Sequence, residues 1–156
     1  MKKVLIGVGI FAAIIVIAVI LLLSSLNKEK DVVTATEFAT LMSQKNYLTQ
    51  DITSQYGDAF VKVYLAGNSN FRIEFYELTN DQNAISMYNT NKTKFESQKT
   101  KGYTSSNVEI SNYATYTLKV NGKYKYLSRV GNTFVYVDVD EAYEDTVKEI
   151  MDEINY

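Results

Sequence analysis

Five carboxylates crowd one stretch near the C-terminus: Asp138, Asp140, Glu141, Glu144 and Asp145. Carboxylates this close together bind calcium or work as an acid–base pair. The calcium-loop pattern Asp-x-Asp-x-Asp-Gly is absent. Glu141, Glu144 and Asp145 fall where a helix is expected to begin, a place that favours acids through the helix dipole. Carboxylate-dependent hydrolysis therefore rests on Asp138 and Asp140. A second charged stretch, Lys92, Lys94, Lys99 and Lys101, reads as a solvated helix end or as an anion site. The remaining inventory is narrow, because the 156 residues include no Cys, His, Pro or Trp. Without Cys there is no disulfide framework, thiolate nucleophile or zinc finger. Without His there is no Ser-His-Asp triad, histidine metal site or histidine pH switch. No Gly-rich phosphate loop is present, and no catalytic, cofactor or metal-binding set is assigned.

The elements that must position these groups follow from periodicity and turn chemistry. Thr34 and Glu37 form a capping box, and Phe38, Leu41 and Met42 recur at helical spacing, so a helix is predicted from here to near Asn46. Residues 47–58 fit neither period, and Gly57-Asp58 marks a turn. Ala59–Ala66 sets Val61, Val63 and Leu65 against Phe60, Lys62 and Tyr64. Phe71–Leu78 alternates again after Gly67-Asn-Ser-Asn70, which predicts a hairpin. Thr79 and Gln82 read as a second capping box, opening a helix with Ala84, Ile85, Tyr88 and Phe95 on one side that fades by Lys101-Gly102. Asn121-Gly122 is the preferred two-residue hairpin turn, between Asn112–Val120 and Lys123–Val130. Gly131-Asn132 leads into Thr133–Val139. A last helix is predicted from Asp140 as N-cap, with Val147, Ile150, Met151 and Ile154 on one face. The expected class is α+β, α-ββ-α-βββ-α behind an N-terminal transmembrane helix, with a mainly antiparallel five-stranded sheet.

Two-residue turns fix register, so the faces of the last three strands can be written down. One face carries Tyr116, Leu118, Val120, Leu127, Phe134 and Tyr136, with Lys125 and Asp138 as a cross-strand pair. The other carries Tyr124, Tyr126, Val135, Val137 and Val139, with Thr115 and Thr117. Neither face is polar enough to stand bare in water. Either helices cover both, or Tyr116, Phe134, Tyr136, Tyr124 and Tyr126 form an aromatic face that docks a peptide, glycan or partner domain.

The N-terminus carries a different signal. Met1-Lys2-Lys3 precedes an uncharged run from Val4 to Leu26. Its most apolar part, Val4 to Leu23, would span roughly 30 Å as a helix, the thickness of a bilayer core. Leu23-Ser24-Ser25-Leu26 is a poor cleavage site, so an uncleaved signal anchor is expected. Lys2, Lys3 and the α-amino group place the N-terminus in the cytoplasm and the domain outside the cell membrane. The expected division is 1–3 cytoplasmic, 4–26 transmembrane, 27–33 linker and 34–156 extracytoplasmic domain. Gly9 and Ala13 form a small-xxx-small pair through which a homodimer could pack. Beyond Lys3 the chain holds 14 basic and 18 acidic residues, with no basic tract, so no nucleic-acid partner is expected.

The element order over residues 34–156, with stretches such as Phe75-Tyr-Glu-Leu-Thr-Asn-Asp-Gln-Asn-Ala84, resembles the Mog1/PsbP-like fold. It is also similar to small membrane-anchored domains of unknown function in Gram-positive envelopes. The resemblance implies antiparallel sheets with helices on their faces and assigns no activity. The functional expectation is a single-pass anchored domain that binds or positions an envelope protein or glycan. The alternative is a hydrolase of envelope polymers using Asp138 and Asp140.

Overall fold

Thr34 and Glu37 cap each other as their spacing requires. Thr34 Oγ1 accepts from the Glu37 amide at 3.2 Å, and the Glu37 carboxylate accepts from the Thr34 amide at 2.8 Å. In the computed structural model, which describes residues 29–156, this box opens helix α1, Ala35–Gln44. Asn46, in the left-handed region at φ 62°, ends it. The chain continues as β1 (Leu48–Asp51), a 3-10 turn at Thr53–Gln55, β2 (Phe60–Gly67), β3 (Arg72–Leu78) and α2 (Asp81–Glu96). Then come β4 (Thr104–Ile110), β5 (Tyr113–Val120), β6 (Lys123–Val130), β7 (Thr133–Asp140), a 3-10 turn at Glu141–Tyr143 and α3 (Glu144–Glu153).

The five-stranded expectation is corrected to one seven-stranded sheet in the order β1-β2-β3-β7-β6-β5-β4, antiparallel throughout. The two unforeseen strands, β1 and β4, are its two edges. An edge strand that buries almost nothing has no need of an apolar alternation, so its sequence carries none. The predicted transmembrane segment 4–26, with Gly9 and Ala13, lies outside the described residues. Among the described residues no helix is long and apolar enough to cross a membrane.

The β5–β6–β7 register is the one the turns dictate: Val120 faces Lys123, Tyr116 faces Leu127, Leu127 faces Tyr136 and Lys125 faces Asp138. Asn121 and Gly122 both have positive φ, at 52° and 73°, the geometry this hairpin turn needs. Each face of the sheet has its own core. On one side α1 and α3 bring Phe38, Met42, Val147, Ile150 and Met151 against Ile73, Phe75, Tyr124, Tyr126, Val135 and Val137. Phe38 stacks on Phe75 at 4.6 Å between ring centroids. On the other, α2 brings Ala84, Tyr88 and Phe95 against Tyr76, Leu78, Tyr116, Leu118, Leu127 and Phe134.

Three local expectations are revised. Asn80, not Thr79, caps α2, its side chain accepting from the Asn83 amide at 2.9 Å. Asp140 is the last residue of β7, opposite Lys123 and ion-paired with it, so α3 begins after the 3-10 turn. A register shift between Phe60 and Lys62 brings Phe60 to the α2-side core alongside Val63 and leaves Val61 52% exposed.

Residues 29–33, expected as the end of a linker, are fastened to the domain. The Asn112 carboxamide bonds the Lys30 backbone both ways, accepting from its N–H at 3.0 Å and donating to its C=O at 2.7 Å. Ser111 Oγ donates to Glu29 at 3.1 Å, and the Lys30 ammonium lies 4.8 Å from the Tyr113 ring centroid. Gly131, at φ 53°, leaves room for Val32: a Cβ there would sit 2.7 Å from Val32 Cγ2. The Val33 N–H donates to the Tyr156 hydroxyl at 3.4 Å, and that hydroxyl also bonds Thr133.

The buried tyrosines set the pH response. Burial pushes the Tyr126 and Tyr156 hydroxyls up to about 12 and raises Tyr76, Tyr88 and Tyr124 further. A tyrosine in the unfolded chain ionises near pH 10. With the folded pKa raised, these groups stabilise the fold fully below pH 10, and that stability is lost as pH rises toward about 12. Without His, no side chain has an ordinary pKa between about 5 and 8. The urea midpoint is therefore expected to stay level from about pH 6 to about pH 9 and to fall above pH 10, tyrosinate absorbance rising together with the loss of helical signal. A midpoint that drifts between pH 6 and 9 would contradict this account.

Candidate functional site

The aromatic residues singled out from the sequence are mostly interior. Tyr116, Phe134, Tyr124 and Tyr126 are buried, the first two on the α2 side and the second two on the α1/α3 side, so helices cover both faces. Among the described residues the Tyr116 and Tyr124 hydroxyls have no hydrogen-bond partner within bonding geometry. Lys92 and Lys99 lie over the Tyr116 ring at 5.8 and 5.7 Å, and Lys99 also lies over Tyr103 at 5.1 Å. Two of the four lysines of that stretch thus cover aromatic surface. Tyr136 alone of the five aromatics stays half-exposed, its ring 5.3 Å from Phe95. Burial raises its hydroxyl pKa, with Asp138 and Glu74 adding to the effect.

The acidic run does not converge. Asp138 pairs with Lys125, Asp140 with Lys123 at 2.6 Å, and Glu144 with Lys119 at 2.7 Å and Lys148 at 2.5 Å. These two lysines hold the Glu144 carboxyl below the usual range. Glu141 shares Lys119, at 3.1 Å. Among the described residues no group of three acids is placed to hold a metal ion. Lys125 is 5% exposed, with its ammonium 4.9 Å from the Phe95 ring centroid. Asp138 is therefore the counter-ion of a buried cation.

Helix α2 covers β5, β6, β7 and part of β3, and the segment 52–56 covers β2 at Val63, which leaves the Leu48, Leu65 and Gly67 end of β1 and β2 open on that side of the sheet. Leu48, Gln50, Leu65, Gly67, Asn68 and Arg72 line a cleft of about 440 Å³ there, and Leu48 is 80% exposed. Gly67 is required by its wall: φ is 148°, and a Cβ would meet the Phe71 carbonyl oxygen at 2.2 Å. The loop is stiffened by Asn68 Oδ1, which accepts from the Asn70 and Phe71 amides at 2.8 and 3.1 Å. A second, polar cleft of about 170 Å³ adjoins it, lined by Asn68, Ser69, Asn70, Arg72, Lys123, Asp138 and Asp140.

Arg72 lines both clefts. Its neighbours are already engaged. Glu74, two residues along the same face, accepts from the Tyr76 hydroxyl, and Asp138 is held by Lys125. Among the described residues Arg72 itself makes no ion pair and donates no side-chain hydrogen bond, so its guanidinium is left as a positively charged donor fork beside an apolar shelf. That arrangement suits a ligand carrying a carboxylate next to an apolar group. Nothing in the sequence singled out Arg72, one of two arginines against 14 lysines. Leu48 and Gln50 gave no signal, because β1 itself was not legible, and Leu65 was read only as one of the alternating residues of its strand.

The chain matches no known family, no characterised protein and no solved structure. The function must be argued from the geometry.

Asp138→Asn leaves the Lys125 ammonium buried without a carboxylate and is expected to cost about 2–4 kcal/mol in urea unfolding. The double variant Lys125→Met with Asp138→Leu should recover most of that loss. An Asp138→Asn midpoint equal to that of the parent would show that Asp138 has no structural duty and would reopen the hydrolase reading.

Proposed function

We propose that the chain is a single-pass membrane protein, held by its apolar run 4–26, whose extracytoplasmic domain binds a carboxylate-bearing peptide or glycan of the envelope at the Arg72 clefts. The observation that carries the reading is the Arg72 guanidinium, unpaired among the described residues, between an apolar and a polar cleft. The two carboxylates nearest in register, Glu74 and Asp138, are bonded to Tyr76 and Lys125 instead, so they leave the guanidinium to solvent or to a ligand.

Placement supports the same reading. The fastened segment 29–33 runs along the α1/α3 side, where Val33 and Tyr113 pack, and meets the sheet at the β4–β5 and β6–β7 turns. The clefts open on the α2 side at the opposite end of the strands. About eight strand residues, roughly 27 Å, separate the two ends. An anchor entering beside Asn112 leaves the Arg72 end turned away from the membrane.

The test uses the absence of native cysteine. Ser69→Cys sits in the exposed β2–β3 loop beside the clefts and should react with a membrane-impermeant maleimide in intact cells. Reaction only after lysis would put the domain in the cytoplasm and end the envelope reading. A photo-crosslinking residue at Leu48 should then give an adduct in intact cells that Arg72→Ala removes. An adduct indifferent to Arg72→Ala would take the binding site away from the clefts.

A further inference from the structure

The two edges of the sheet are finished differently. β1 is four residues long, and its Asp51 is tied to Lys62 at 2.8 Å and to Thr53 at 2.6 Å. β4 is seven residues long, pairs with β5 over its whole length without a register shift, and has a single charge, Glu109, which makes no ion pair among the described residues. It contains no Pro, Lys or bulge, the devices that keep sheet edges from pairing. Val108 within it is 43% exposed, and Tyr103 just before it is 46% exposed. From the structure we infer that β4 is the surface through which two copies of this chain join, edge to edge, into one continuous antiparallel sheet.

The phase of the hydrogen bonds selects the register. The Asn121-Gly122 turn makes Val120 and Lys123 a mutually bonded pair, and bonding alternates from there along the strands. Tyr113, Thr115, Thr117 and Lys119 therefore bond Ile110, Val108, Ser106 and Thr104 of β4. The backbone groups of Ser105, Asn107 and Glu109 are left pointing outward. A two-fold axis at Asn107 pairs every residue of β4 and sets outward groups against outward groups, forming about six interchain bonds. In that register Glu109 faces Ser105 of the other copy rather than another Glu109. Val108 faces Ser106, and Ile110 faces Thr104. No like charges meet.

The fastened N-terminal segment agrees with this partner. A two-fold axis perpendicular to the sheet keeps equivalent faces on the same side, so the two 29–33 segments leave from one side of the joined sheet. Two anchors in one membrane need that arrangement, a step that rests on the anchored reading above. Confinement to a membrane raises the effective concentration of two copies, so a strand pair too small to hold in dilute solution can form there.

The experiment is cysteine crosslinking of the full chain in its native membrane. Asn107→Cys lies on the axis, where a bonded pair has Cα atoms about 5.5 Å apart, within disulfide reach. Copper-phenanthroline oxidation should give a dimer of twice the chain mass, well above the chance-collision level of the exposed Ser69→Cys. Ser105→Cys and Glu109→Cys should each stay monomeric alone and crosslink when both are expressed together, which also covers any misfolding of Asn107→Cys. Adding Ser105→Pro, which removes an outward N–H and no bond to β5, should lower the Asn107→Cys dimer about tenfold. The inference is overturned if Asn107→Cys and the mixed pair crosslink no better than Ser69→Cys. An adduct of another mass overturns it too, since β4 would then hold a different protein. So does a dimer lost in Gly9→Ile but kept in Ser105→Pro, which would place the contact in the N-terminal run. Failure of the anchored reading shows separately, in the Ser69→Cys labelling pattern.

Discussion

The structure depends on the two-sided burial of the β6–β7 hairpin. Every residue of β6 after Lys123 is buried, and β7 alternates Phe134 toward α2 with Val135 and Val137 toward α1 and α3. A strand that is apolar on both faces cannot face water on either, so helices must lie on both sides. This constraint places β3 and β5 as flanking strands, sends α2 to one face and α1 and α3 to the other, and pushes the polar segments β1 and β4 to the margins. The clefts and the bare edge are what remains where three helices stop covering seven strands.

Burial of polar groups follows from the same crowding. Lys125 is caught between Phe95 and Asp138 because its strand position faces the α2-side core. Its charge is kept by a carboxylate and a ring face, both of which tolerate a cation away from water. The tyrosines are a milder case, each supplying a large apolar ring with one polar atom. Tyr156 places its hydroxyl where Thr133 and Val33 can use it, whereas Tyr116 and Tyr124 do not find partners among the described residues. Such groups make the interior specific at some cost in stability.

The central strands were legible in the sequence, and the margins were not. Turn geometry at Asn121-Gly122 and Gly131-Asn132 was enough to assign Tyr124, Tyr126 and Val135 to one face and Tyr116, Leu127 and Phe134 to the other, because alternation and turn chemistry agree there. The Gly131-Asn132 turn, which sets Val130 opposite Thr133, was enough to pair Lys125 with Asp138. Leu48–Asp51 and Thr104–Ile110 were missed because edge strands are selected for little burial, and periodicity is a record of burial. Asp140 looked like a helix cap because the same residue type suits a strand end that meets Lys123. Val61 was grouped on one face with Val63 and Leu65 because a bulge cannot be read from alternation. Of the candidate site, Ser69's loop was expected as a turn, and Asp138 and Asp140 were noticed for another reason. Arg72 drew no notice, since an exposed cation at a strand start has an ordinary appearance until its neighbours are found to be occupied.

The clamp between Asn112 and Lys30 has a mechanical consequence. It fixes one grip on the domain beside the β4–β5 turn, while a ligand held at Arg72 would grip the far end of the strands. A pull between these two points runs lengthwise along the sheet, and antiparallel ladder bonds lie across that direction. They are then loaded together in shear, instead of being opened one after another as they would be by a pull across the strands. Loaded in this way, the domain would resist tension between those two points as a tie rod does.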